Sequence, residues 1–127
     1  MMNNLDLAKL AVSSQFWKWL PGMLPRHPEN VPNFWVQRVG EEKTVRKGLI
    51  PDFDDIATQY LALEVARIKF FDDSKLWNGR IEIRQDHKHI FFALQPYHDE
   101  EGCLCYNCIA SGSTELECIV NAIVCDL

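Results

Sequence analysis

Three short runs between Arg80 and Ala110 leave this chain little choice of topology. Arg80-Ile81-Glu82-Ile83-Arg84 alternates polar and apolar residues, as a strand buried on one side must. Gln85 to Lys88 then reads as a turn, His89 to Gln95 as a second strand with Ile90, Phe92 and Leu94 on one face, and Cys103 to Ala110 as a third, after a polar loop from Pro96 to Gly102. Connections this short cannot carry a crossover, so the strands pair as an antiparallel meander. A half-buried meander needs a covering layer, and helical patterns on either side of it supply one.

The first pattern runs from Leu5 to Leu20, with Leu7, Leu10, Ala11, Ser14 and Trp17 on one stripe, Asn4 as its cap and Pro21-Gly22 as its stop. The second opens at Pro51-Asp52-Phe53-Asp54-Asp55, where Asp52 or Asp54 caps the helix and the carboxylates meet the positive end of its dipole. Ile56, Tyr60 and Leu63 with Ala57, Leu61, Val65 and Ile68 give it an apolar face wide enough to predict a central helix ending near Phe71. The third follows the capping box Thr114-Glu115-Leu116-Glu117 and carries Leu116, Ile119, Val120, Ile123 and Leu127 on one stripe. Pro25, Pro28 and Pro32 exclude a long helix after the first, so residues 25–50 are expected to be irregular, or a hairpin insert turning at Gly40-Glu41-Glu42. The expected fold is α+β: a single domain over residues 1–127, with an antiparallel sheet of three to five strands packed by three helices.

The 127 residues are one domain's worth, and 47% apolar content at a net charge of −5 excludes disordered and low-complexity classes. No apolar run approaches the roughly 20 residues that cross a bilayer, so no membrane partner is expected. Eighteen acidic against thirteen basic residues argue against a nucleic-acid binder, which needs a concentrated basic face. No basic segment precedes an apolar one at the N-terminus, which predicts a cytoplasmic protein with five cysteines as thiols or ligands.

Candidate chemistry centres on Cys103-Leu104-Cys105-Tyr106-Asn107-Cys108. Thiolates are preferred zinc donors, and His98 or Cys118 would complete a set of four. On a strand, however, Cys103 and Cys105 share a face while Cys108 points the other way, and paired C-x-x-C knuckles are missing. Packed thiols are therefore the leading reading, with no cofactor, and a small zinc module on Cys103, Cys105, Cys108 and His98 is the alternative. His87 and His89 would share a face on an extended segment, but Lys88 between them favours a solvated turn. The chain has no phosphate-cradling, nucleophile-elbow or zinc-protease motif, so no enzymatic activity and no catalytic residues are expected. Trp19, Trp35 and Trp77 are candidate interface residues, because tryptophan combines large apolar area with a polar edge.

Trp19-Leu20-Pro21-Gly22-Met23, Pro51-Asp52-Phe53-Asp54-Asp55-Ile56-Ala57-Thr58 and Ala110-Ser111-Gly112-Ser113-Thr114-Glu115-Leu116-Glu117 with Ile119-Val120-Asn121-Ala122 stand in that order along the chain. In these motifs and their spacing the sequence resembles a family of small proteins of unestablished function encoded in tailed phages and prophages, over most of its length except residues 25–50. The resemblance implies a shared fold and a phage or prophage origin, hence a bacterial host cell, and no activity. The functional expectation is a non-enzymatic accessory protein acting through contact with a protein partner or by self-association.

Overall fold

A computed structural model describes residues 2–29, 36–42, 44–70 and 81–125. The described elements are α1 (Asn4–Val12), β1 (Pro25–Arg26), β2 (Ile50–Pro51), α2 (Ile56–Lys69), β3 (Glu82–Gln85), β4 (Phe91–His98), β5 (Leu104–Gly112) and α3 (Glu115–Val124). Among the described residues they form an antiparallel three-stranded sheet in the order β3-β4-β5 and a separate antiparallel pair, β1-β2. The architecture is α+β, with the expected meander.

Helix α3 is the centre of the molecule. The Thr114 hydroxyl accepts the Glu117 backbone N–H at 3.1 Å, so the helix starts where the capping box predicts. The reciprocal bond falls one residue further out: the Glu117 carboxylate accepts the Ser113 N–H at 3.2 Å. Leu116, Cys118, Ile119, Val120, Ala122 and Ile123 are all buried. The helix packs on all three strands of the larger sheet, and α1 and α2 pack on it from elsewhere. Its contact with β5 is close. A Cβ on Gly112 would lie 2.5 Å from the Cys118 backbone nitrogen, so only glycine permits this approach.

The central role expected for α2 thus belongs to α3. The buried residues of α2 are Thr58, Ala62, Val65 and Ala66, while Ile56, Tyr60 and Ile68 are exposed. Of the broad apolar face expected inside, Val65 is buried and Leu61 and Leu63 pack half-buried against the core, while Ile56, Ala57, Tyr60 and Ile68 stay in water. The cap is Asp55, not Asp52 or Asp54.

Helix α1 ends at Val12, well short of Leu20. The Ser13 hydroxyl donates to the Leu10 carbonyl at 2.6 Å, and the Ser14 hydroxyl accepts the Phe16 N–H at 3.1 Å. These local bonds compete with the helical ladder and terminate it before Pro21. The cap is Asn3, whose side chain accepts the Asp6 N–H at 2.8 Å; Asn4 instead donates to Asp54 at 2.8 Å and ties the start of α1 to the start of α2.

The described part of residues 25–50 holds no local hairpin. Pro25 and Arg26 pair with Pro51 and Ile50, and Val39 exchanges backbone bonds of 2.8 and 2.7 Å with Gly22 and Met23. The ends of the segment are tied to each other and to the Pro21-Gly22 turn. Within the meander, Phe92 and Leu94 do share a face, but the core takes the other one: Ala93 is fully buried, and Phe91, Ile83 and Ile81 pack on the core.

The helices α2 and α3 lie with their N-terminal ends together and their C-terminal ends together, which gathers unsatisfied carbonyls at one place. Lys69, the last residue of α2, answers this. Its Nζ donates to the carbonyls of Ala122 (3.0 Å), Ile123 (2.8 Å) and Cys125, and lies 4.3 Å from the Phe16 ring centroid. A single ammonium therefore closes the C-terminal end of α3 against two aromatic rings, Phe16 and Phe70.

Candidate functional site

The strongest candidate lies where α2 and α3 begin. One face of α2 forms a wall of a groove, with Ile56, Gln59, Tyr60 and Leu63 opposite Glu115, Leu116 and Ile119 of α3. The groove holds about 230 Å³. That is less than a cofactor or drug-sized ligand needs, and suits one or two large side chains. Ile56 is 67% exposed and Tyr60 68%, far more than large apolar groups on a well-packed helix need to be.

Beneath this wall the start of α2 is fixed by a polar network. The Asp55 carboxylate accepts from the Thr58 hydroxyl at 2.7 Å, the Thr58 N–H at 3.1 Å and the Arg38 guanidinium at 2.7 Å. Arg38 also donates to the Gly22 carbonyl at 2.9 Å, and the Thr58 oxygen accepts the Leu24 N–H at 2.8 Å. The Arg38 hydrogen bond is the main reason the Asp55 carboxyl titrates at about 2; partial burial opposes it, and the two Thr58 donors reinforce it. The network holds Ile56 and Tyr60 on a rigid helix whose entry cannot swing. Glu115 makes the α3 wall of the groove negative at its start, and among the described residues no Lys or Arg lines it.

The cysteines lie apart from the groove. Cys103 and Cys108 are exposed, Cys105 and Cys125 half-buried and Cys118 buried. The register puts Cys105 beside Tyr97 on one face of the sheet and Cys108 beside Leu94 on the other, as the strand geometry requires, while His98 pairs with Leu104. The Cys105 thiol faces Asp99 at 3.8 Å, and that of Cys108 faces the Ala110 carbonyl at 3.6 Å. Among the described residues no group of three His, Cys, Asp or Glu side chains is placed to hold a metal ion. Burial, with the nearby Cys108, Glu115 and Glu117, pushes the Cys118 thiol up to about 12, which makes it a packing group and not a nucleophile.

His87 and His89 do not share a face. His89 adopts φ +64°, closing the β3–β4 turn, while the Asp86 carboxylate accepts the N–H groups of Lys88 and Ile90, each at 2.9 Å. The extended segment that would have aligned the two imidazoles is absent.

Of the candidate interface tryptophans, Trp35 and Trp77 lie outside the described residues. Trp19 is half-buried, stacked edge-on against Trp17 at 5.5 Å, and Trp17 in turn meets Phe53 at 6.2 Å. Sequence reasoning missed Ile56 and Tyr60 as surface residues, because their spacing matched a core stripe. The one available signal was the small residues Thr58, Ala62 and Ala66 on the neighbouring stripe, which permit a close helix contact. No helix among the described residues is long and apolar enough to cross a membrane. No family model, curated protein or solved structure matches the chain.

Proposed function

We propose that this protein acts by protein–protein contact, and that the α2–α3 groove receives an apolar side chain from a short segment of its partner, flanked by Lys or Arg. The observation that carries this reading is the exposure of Ile56 and Tyr60, at 67% and 68%, on a helix pinned at its start. An apolar anchor accounts for the groove, and basic flanks match the Glu115 carboxylate and the net charge of −5. On this reading the protein is a non-enzymatic accessory factor. The resemblance to phage and prophage proteins makes the bacterial host cytoplasm its proposed place of action.

The probe is a fluorescein-labelled amphipathic peptide of about three helical turns, with Leu on one face and Lys on the other, compared with its Glu counterpart. The Lys peptide should bind, bind more weakly as salt is raised, and lose about tenfold in affinity to Tyr60→Asp or Ile56→Asp. Both substituted positions are exposed, so the variants should fold. Equal binding of the Lys and Glu peptides, or binding indifferent to Tyr60→Asp, would overturn the proposal.

A further inference from the structure

Among the described residues that line the groove, Gln59 alone carries an amide, and its orientation is set from behind. The Gln59 Nε2 donates to the Phe53 carbonyl, in the turn that leads into α2. A carbonyl can only accept, so the nitrogen is the atom that faces it; the flipped amide would set oxygen against oxygen. The tie is firm at its other end. Phe53 is 1% exposed, and its carbonyl accepts from Asn4 Nδ2 as well, at 3.3 Å. Gln59 itself is half-buried, and its Oε1 accepts no hydrogen bond from the described residues. The α2 wall therefore carries one fixed acceptor among apolar groups. Glu115 and Tyr60, the other polar residues of the lining, are exposed and reach water.

An occupant that covers this oxygen without answering it leaves a buried acceptor unpaired, which costs about as much as a good contact contributes. A helical segment has its own backbone N–H groups engaged, so the donor must come from a side chain. That side chain has to be large and apolar to fill about 230 Å³. Lys and Arg would carry a charge off water into the slot, and Asn, Gln and Tyr bring acceptors that would need partners of their own. Tryptophan is large and apolar, and it is a donor only.

We infer that Gln59 is the specificity-determining residue of the groove: its Oε1 accepts the indole N–H of a tryptophan that the partner inserts as its anchor. This rests on the groove being a docking site, and it names what that reading leaves open, the chemistry of the inserted side chain.

The probes are two versions of the Lys peptide, one central Leu being replaced by tryptophan in the first and by 3-benzothienylalanine in the second. The two rings match in shape, and the second carries sulfur in place of the N–H. Fluorescence anisotropy should show the tryptophan peptide binding the wild-type protein about tenfold more tightly than its analogue. Gln59→Met should bring the two affinities together. Gln59→Lys should do the same while keeping a donor for the Phe53 carbonyl, and it serves if losing that tie unfolds the first variant. Its added charge acts on both peptides alike, so the ratio of affinities is what is read. A Gln59 that only stiffened α2 would, when replaced, weaken both peptides and leave the ratio unchanged. Equal affinities of the two peptides for wild type would overturn the inference, and so would a gap that survives Gln59→Lys in a folded protein. In either case both peptides still bind and the groove stands. If neither peptide binds, the groove reading falls and this inference falls with it.

Discussion

Replacing Lys69 with methionine keeps the aliphatic stem and removes the charge that closes the C-terminal end of α3. The ammonium donates to the carbonyls of Ala122 and Ile123 at 3.0 and 2.8 Å and to that of Cys125, and it sits 4.3 Å from the Phe16 ring centroid. A cation at a partly buried helix C-terminus contributes up to about 2 kcal/mol, and hydrogen bonds from a charged donor about 1.5–3 kcal/mol each before rehydration of the freed carbonyls is counted. These contributions overlap, so the net cost expected for Lys69→Met is about 2–3 kcal/mol, a sizeable part of a domain's usual stability. In urea the unfolding midpoint should fall by roughly 1–2 M with an unchanged slope. Lys69→Arg, which keeps the charge, should recover at least half of the loss. A midpoint for Lys69→Met within about 0.3 M of wild type would refute the claim that one side chain stabilises the gathered helix ends.

Four other tests follow from the same structure. Asp55 titrates at about 2 when folded, below its ordinary value, so its contribution is fully present above about pH 4 and is lost as pH falls from there toward 2; urea midpoints of wild type and Asp55→Asn should differ at pH 6 and converge by pH 2. His89→Gly should stabilise the fold by about 0.5–1 kcal/mol, because relief of the left-handed backbone at φ +64° exceeds the entropy that glycine adds to the unfolded chain; a loss of stability would show that the His89 side chain matters more than its backbone. Native alkylation read by mass spectrometry should label Cys103 and Cys108 first and Cys118 only on unfolding. A strong chelator under reducing conditions should leave the thermal midpoint unchanged, whereas melting would restore the zinc reading.

The parts of the fold legible in the sequence are those with one dominant local signal. Thr114 and Glu117 mark the start of α3, and Leu116, Ile119, Val120 and Ile123 mark its face, with no competing stripe. In α2 two stripes compete, and hydrophobicity alone placed Val65 correctly but put Ile56 and Tyr60 inside. The buried positions are Thr58, Ala62, Val65 and Ala66, all of modest size, and Ile56 and Tyr60 stay outside, on the groove. Strand β4 poses the same difficulty, since Phe91 and Ala93 alternate with Phe92 and Leu94 and both sets are apolar. The early end of α1 depends on two serine hydroxyls whose bonds no periodicity reports. The pairing of Pro25-Arg26 with Ile50-Pro51 is closed across a long loop, beyond the reach of any local pattern. The candidate site was hidden for the same reason as the orientation of α2; the thiols, which drew attention in the sequence, are spread over two faces of the sheet.

The most direct measurement of the central claim is a backbone amide chemical-shift titration of the labelled protein with the Leu/Lys peptide. The account predicts changes grouped at Ile56, Gln59, Tyr60, Leu63, Leu116 and Ile119, with β3 to β5 undisturbed. Changes centred on the sheet, or scattered without focus over the acidic surface, would contradict it.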